Sequence, residues 1–215
     1  MRADAHTDFL MAQHAELLVA TGNARKVREL SQLLAGAPLR LRLLPEFGGV
    51  EEPEETGATF AENAVIKARY YSARTGLLTL SDDSGLAVDA LGGAPGVYSA
   101  RYAGRGATYA ERMAKLLGEI EAAGDTERSA RFVCVIAVAD PSTGAVETFE
   151  GVCEGRIATS PRGTGGFGYD PVFIPEGHEQ TFGELPEQVK HTLSHRARAL
   201  ARAVQHLRTR FDLPG

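Results

Sequence analysis

The sequence predicts an α/β protein built on a mixed sheet. Short apolar runs of strand length alternate along the chain with amphipathic stretches of helical period. Two later runs, Arg131–Ala139 and Ala145–Val152, are joined by the turn Asp140-Pro141-Ser142-Thr143-Gly144 and read as an antiparallel pair. Across 215 residues no linker or internal repeat appears. One domain over 15–212 is therefore expected, behind a flexible extension Met1–His14.

Leu17–Ala20 is the first strand, and Thr21-Gly22-Asn23 follows it directly. Val27, Leu30, Leu33 and Leu34 then share one face of a helix that ends at Gly36 and Pro38. Leu39–Leu44 alternates Leu with Arg, the pattern of a half-exposed strand. After the acidic loop Glu51–Gly57, Thr59 and Glu62 form a capping box that opens a helix running to about Arg74 and stopping at Gly76. Leu77–Leu80 reads as a strand that ends by delivering Ser81–Gly85. Gly92–Gly96 is turn-rich, Thr108–Glu121 is helical and Pro161–Pro171 is a Gly-rich loop. The last helix carries Ala197, Leu200, Val204, Leu207 and Phe211 at spacings of 3, 4, 3 and 4.

Composition narrows the classes. With 43% hydrophobic and 24% charged residues the chain is neither disordered nor fibrous. A net charge of −5 argues against a nucleic-acid polymer as partner. Cys134 and Cys153 lie in apolar strand-like runs and read as core thiols of a reducing compartment, so a cytoplasmic location is expected. The longest apolar run, Val133–Ala139, falls far short of the roughly 20 residues of a membrane span.

Five groups of residues bear on chemistry. Thr21-Gly22-Asn23-Ala24-Arg25-Lys26 stands where a strand hands over to a helix, a junction whose N–H groups and dipole attract phosphate, although it reads equally as a plain helix start. Asp82-Asp83-Ser84-Gly85 offers two carboxylates suited to Mg²⁺ and to accepting a proton from water, or else a turn capped by its own side chains. Adjacent residues of an extended chain face opposite sides, so the two carboxylates need not serve one ion. In the acidic loop Glu54 or Glu55 adds a hard ligand, or the charge run is a solvated one, and Lys67 reaches a phosphate or decorates its helix. Phe167-Gly168-Tyr169-Asp170 presents rings on which a base can stack, or a packed turn. Lys190, His195 and Arg196 are hydrogen-bond donors beside the last helix.

The blocks Thr21-Gly22-Asn23-x-x-Lys26, Glu54-Glu55-Thr56-Gly57, Glu62-Asn63-Ala64, Asp82–Leu86, Gly92–Arg101, Phe167–Asp170 and Ser194-His195-Arg196 occur in that order. Together they resemble the Ham1/RdgB family of non-canonical purine nucleoside triphosphate pyrophosphatases, over about Leu17 to Leu207. The resemblance implies an ITPase-like fold, a long mixed sheet flanked by helices, with two lobes around a central cleft, in a homodimer. It implies Mg²⁺-dependent cleavage of ITP, dITP, XTP and dXTP to the monophosphate and pyrophosphate. Asp83 would accept the proton and bind the metal with Glu54 or Glu55, supported by Asp82. Thr21–Lys26 would hold the triphosphate with Lys67, Ser84 would touch substrate, and Phe167–Asp170, Lys190, His195 and Arg196 would form the base pocket. A Maf-like pyrophosphatase and a nucleotide-binding regulator without turnover are the competing readings.

Overall fold

The structure, a computed structural model, describes residues 15–37 and 39–211. The expected extension Met1–His14, Pro38, the domain end at Asp212 and the side chain of Phe211 lie outside the described residues. Among the described residues six strands form one sheet in the order β2-β1-β3-β4-β5-β6. β1 (Ala15–Val19) runs parallel to β2 (Leu39–Leu43) and to β3 (Leu78–Val88). β3, β4 (Ser129–Ala139), β5 (Val146–Ile157) and β6 (Phe173–Pro175) are antiparallel. The helices are α1 (Ala24–Leu33), α2 (Phe60–Thr75), α3 (Tyr109–Ala123), α4 (Glu187–Leu193) and α5 (His195–Phe211). The sheet is mixed, as expected.

Local signals set several boundaries. Thr59 Oγ1 accepts from Glu62 N–H, Glu62 returns a bond to Thr59 N–H, and Gly76 closes α2 in the left-handed region at φ 69°. The expected strand end at Leu80 is corrected: β3 continues through Ser81–Gly85 to Val88 because β4 pairs with it residue for residue, from Thr79–Ala139 to Val88–Ala130. That ladder satisfies the backbone of a polar run whose composition suggests a loop. β5 likewise runs to Ile157, beyond Val152, where β6 takes up its other edge. β6 and α4 have no strong sequence signal and went unpredicted.

The register sorts the core. On one face Leu80 sits opposite Val138, Asp82 opposite Ile136, Ser84 opposite Cys134 and Leu86 opposite Phe132. At one end of that face Leu17, Val19, Leu80 and Ile136 pack with Leu30 of α1 and Leu200 and Leu207 of α5. At its other end Leu86, Val88 and Phe132 pack with Leu116 and Ile120 of α3 and with Phe173. The opposite face carries Ala64 and Ala68 of α2 on Val135, Ala137 and Ala139. Two apolar lobes thus share β3, and the polar stretch Asp82–Gly85 lies between them. Gly151 brings α5 down onto β5, since a Cβ there would come 2.2 Å from the His195 carbonyl oxygen.

A gap in the sheet edge positions the site. β1 pairs with β3 only as far as Val19–Leu80, and the chain then turns into α1. That edge of β3 is next met at Leu86, whose N–H donates to Ser99 Oγ at 2.9 Å, and at Ala87, which bridges to Pro95. Between these points the strand is open, so side chains from both sheet faces reach one cleft. Among the described residues no helix is long and apolar enough to cross a membrane.

Candidate active site

The cleft encloses about 690 Å³, and its lining runs from Thr21, Lys26, Glu54, Glu55, Lys67 and Asp83 to Phe167, Asp170, Lys190 and His195. The strand–helix junction forms part of one wall. Asn23 caps α1 by accepting from the N–H groups of Arg25 (3.0 Å) and Lys26 (3.3 Å), so those two donors are already taken. Gly22 admits Glu52, whose Oε1 lies 2.1 Å from where a Cβ would stand. Ala24 does not line the cleft, and Arg25 borders a smaller adjoining depression with Arg28 and Gln32.

Asp82 and Asp83 point to opposite faces of β3. Asp82 is 1% exposed, lies 2.9 Å from Lys26 Nζ and 3.3 Å from Arg196 Nε, and accepts from Ser84 Oγ at 3.3 Å. Burial opposes its charge, but Lys26, Arg196 and Lys67 outweigh that and hold the carboxyl well below the usual carboxylate range. Asp82 is absent from the cleft lining, whereas Asp83 and Ser84 belong to it. Asp83 accepts from Asn63 Nδ2 (3.3 Å) and Lys67 Nζ (3.0 Å), both on α2. Burial raises its pKa despite the Lys67 charge, and Glu55 adds to the rise. Lys67 also bonds Glu55 Oε1 at 2.7 Å; burial works against the ammonium, but Asp83, Asp82 and Glu55 together keep it firmly protonated.

The donor set fits a hard divalent cation. The carboxylates of Asp83 and Glu55 already converge on one cationic nitrogen, and Glu54 borders the same cleft with no ion pair among the described residues. No group of three or more His, Cys, Asp or Glu side chains assembles among the described residues. Mg²⁺ takes one or two carboxylates and completes its shell with water and phosphate oxygens.

The other end of the cleft is aromatic and cationic. Asp170 accepts from Phe167 N–H (2.6 Å) and from Lys190 Nζ (2.7 Å), which closes the Gly-rich loop. Burial nevertheless raises its pKa. Lys190 Nζ lies 4.5 Å from the Phe167 ring centre and the Arg196 guanidinium 5.7 Å. His195 stacks on Phe132 with ring centres 4.7 Å apart. Burial, with Arg196 and Lys190 nearby, pushes its pKa well below 6.5, so the imidazole is neutral at pH 7. Its buried Nδ1 has no hydrogen-bond partner among the described residues. Arg196 is 2% exposed and tied to Glu29 at 2.6 Å as well as to Asp82.

Sequence reasoning missed Glu29, Asn63, Arg101, Arg105, Tyr109 and Phe132. Glu29 had a signal: it lies one helical turn after Lys26, beside the apolar Leu30, where an acid needs a buried partner. The rest reach the site through tertiary packing. Cys134 and Cys153 are free and buried, and burial lifts their thiols to about 12 and about 11, so both are inert core groups.

A cleft that ranges cations and carboxylates at one end and a cation-flanked aromatic ring at the other defines an α/β protein shaped for a small phosphorylated ring compound. Residues 17–206 match the model of the Ham1 family, and the chain belongs to that family. It is 50% identical over 191 residues to the dITP/XTP pyrophosphatase of Geobacter sulfurreducens, covering 89% of this chain and 96% of that one. Against the dITP/XTP pyrophosphatase of Desulforamulus reducens the identity is 48% over 192 residues, covering 89% and 95%. Among solved structures, a HAM1 protein from Coxiella burnetii superposes with a TM-score of 0.83 at 47% identity, covering 90% of this chain and 98% of that one. The Staphylococcus aureus Ham1 protein gives 0.82 at 34%, covering 91% and 99%. The Ham1 fold is therefore the fold of this chain.

Proposed function

We propose that this protein hydrolyses non-canonical purine nucleoside triphosphates (ITP, dITP, XTP and dXTP) to the monophosphate and pyrophosphate, removing deaminated purines from the nucleotide pool. One observation carries the reading: Asp83 and Phe167 line one cleft of about 690 Å³, the size class of small-molecule sites. The names of the relatives, dITP/XTP pyrophosphatases, support it.

In this mechanism Asp83 accepts a proton from the water that attacks the α-phosphorus. Burial raises its pKa, which makes it a better base than an ordinary aspartate. Asp83 with Glu54 or Glu55 would hold Mg²⁺, which would supply charge neutralisation at the phosphate oxygens. Lys26 and Lys67 flank the polyphosphate, and Asn23 offers its side-chain N–H₂, its oxygen being engaged in the helix cap. Phe167 provides a stacking face. A hypoxanthine or xanthine 6-keto oxygen accepts from the Lys190 protons that Asp170 leaves unused, whereas an adenine amino group meets a fellow donor. Arg196 holds Ser84 Oγ at 2.9 Å and acts through that hydroxyl rather than as a free donor. We further propose a cytoplasmic homodimer; the 59% exposed Tyr98 supports the contact, and sedimentation showing only monomer at micromolar concentration would refute it.

The test is pyrophosphate release from ITP, dITP, XTP, GTP and ATP, with and without Mg²⁺. Release from ITP and XTP that requires the metal is expected. Faster turnover of ATP than of ITP, or no release at all, overturns the reading.

A further inference from the structure

Arg101, Arg105 and Tyr109 line the cleft from the segment that joins the 3-10 turn Gly96–Arg101 to α3. Arg101 lies 3.6 Å from the Glu55 carboxylate, at the acidic end. Tyr109 packs on Gly168, where a Cβ would come 3.5 Å from its ring. Arg105 stands between them in the chain and is exposed, with Gly104 (φ 104°) and Gly106 (φ 84°) on either side. Both glycines hold positive φ, a conformation that side-chain-bearing residues resist.

The charges of the cleft are unevenly committed. Lys26 is paired with Asp82, Lys67 with Glu55 and Asp83, Lys190 with Asp170, and Arg196 with Glu29 and Asp82. Arg101 is paired with Glu55. Arg105 alone among the cleft's described Lys and Arg side chains has neither an ion pair nor a hydrogen bond. An incoming triphosphate brings several negative charges into a cleft already bordered by Glu52, Glu54, Glu55 and Asp83. An uncommitted guanidinium, whose planar fork matches two phosphate oxygens, answers that charge without first breaking an internal pair.

We propose that Arg105 is the substrate-binding arm for the pyrophosphate portion of the triphosphate, carried on a glycine-flanked bend. The proposal rests on the function proposed above, and wild-type turnover of ITP separates the two: a wild type that releases no pyrophosphate refutes that function, whatever Arg105 does. With an active wild type, Arg105→Ala is expected to raise KM for ITP about tenfold and to weaken inhibition by added pyrophosphate by a similar factor. Arg105→Lys recovers part of both, and Arg105→Glu loses more than Ala. The preference among ITP, XTP and GTP stays as in the wild type, because the base is not touched. Unchanged KM and pyrophosphate inhibition in the Ala variant overturn the proposal. So does a shifted base preference with pyrophosphate inhibition intact, which would place Arg105 on the ring.

Discussion

Asp82 and Asp83 are neighbours in sequence and opposites in environment. The period of the strand sends one to each face of β3. Asp82 meets Lys26 and Arg196 in a closed, buried network, and its carboxyl is held far below the usual range. Asp83 meets a single ammonium at the edge of a cleft, and burial raises its pKa. The first arrangement suits a group that must never change charge; the second suits one that must take a proton. Buried carboxylates are thus assigned their work by the number of cations that face them.

The largest effect expected is that of Asp83→Asn. Its amide cannot accept a proton, so turnover of ITP should fall about 10²–10⁴-fold while the urea unfolding midpoint stays near the wild type. Near-wild-type turnover would remove Asp83 from the chemistry and erase the contrast with its neighbour. Asp82→Asn leaves Lys26 without its carboxylate and Arg196 with Glu29 alone, a broken buried network that should cost about 3–5 kcal/mol of stability in urea unfolding. A variant as stable as the wild type would show that the network is not structural. Its pH dependence has a definite sign. Asp82 titrates below its unfolded value, so its stabilisation is present above the ordinary carboxylate range and is lost as pH falls through the folded pKa.

The smallest effect sharpens the other side. Lys67 opposes the burial-driven rise of Asp83, so Lys67→Met should raise the Asp83 pKa further. Activity is lost as pH falls and Asp83 takes up its proton, so the acid limb of the kcat/KM profile should move to higher pH in the variant. A limb that stays in place, or moves to lower pH, would show that another group titrates there.

Much of this was legible in the residues. The Thr59–Glu62 capping box, the Gly76 stop and the antiparallel turn at Asp140–Gly144 act through neighbours a few residues away, and each appears where its pattern predicts. Ser81–Gly85 misled because composition favours a loop, whereas the partner that makes it strand, β4, begins more than forty residues later. Arg25 and Ala24 belong to the junction in sequence but turn away from the cleft, since a helix presents only one face to it.

The order of short-range patterns thus settled where most of the helices and strands lie, though not β6, α4 or the full reach of β3, together with the opposition of Asp82 and Asp83 and the chemistry on offer at each motif. Tertiary structure alone decided that β1 stops short of Asp82, that both faces of the sheet reach one cleft there, that Arg105 lines it, and that Glu29 and Asn63 hold Arg196 and Asp83 from behind. The reason is range. Periodicity, caps and turns are read over a few residues, while burial and charge pairing join groups as far apart as Glu29 and Arg196, which only the packed chain brings together.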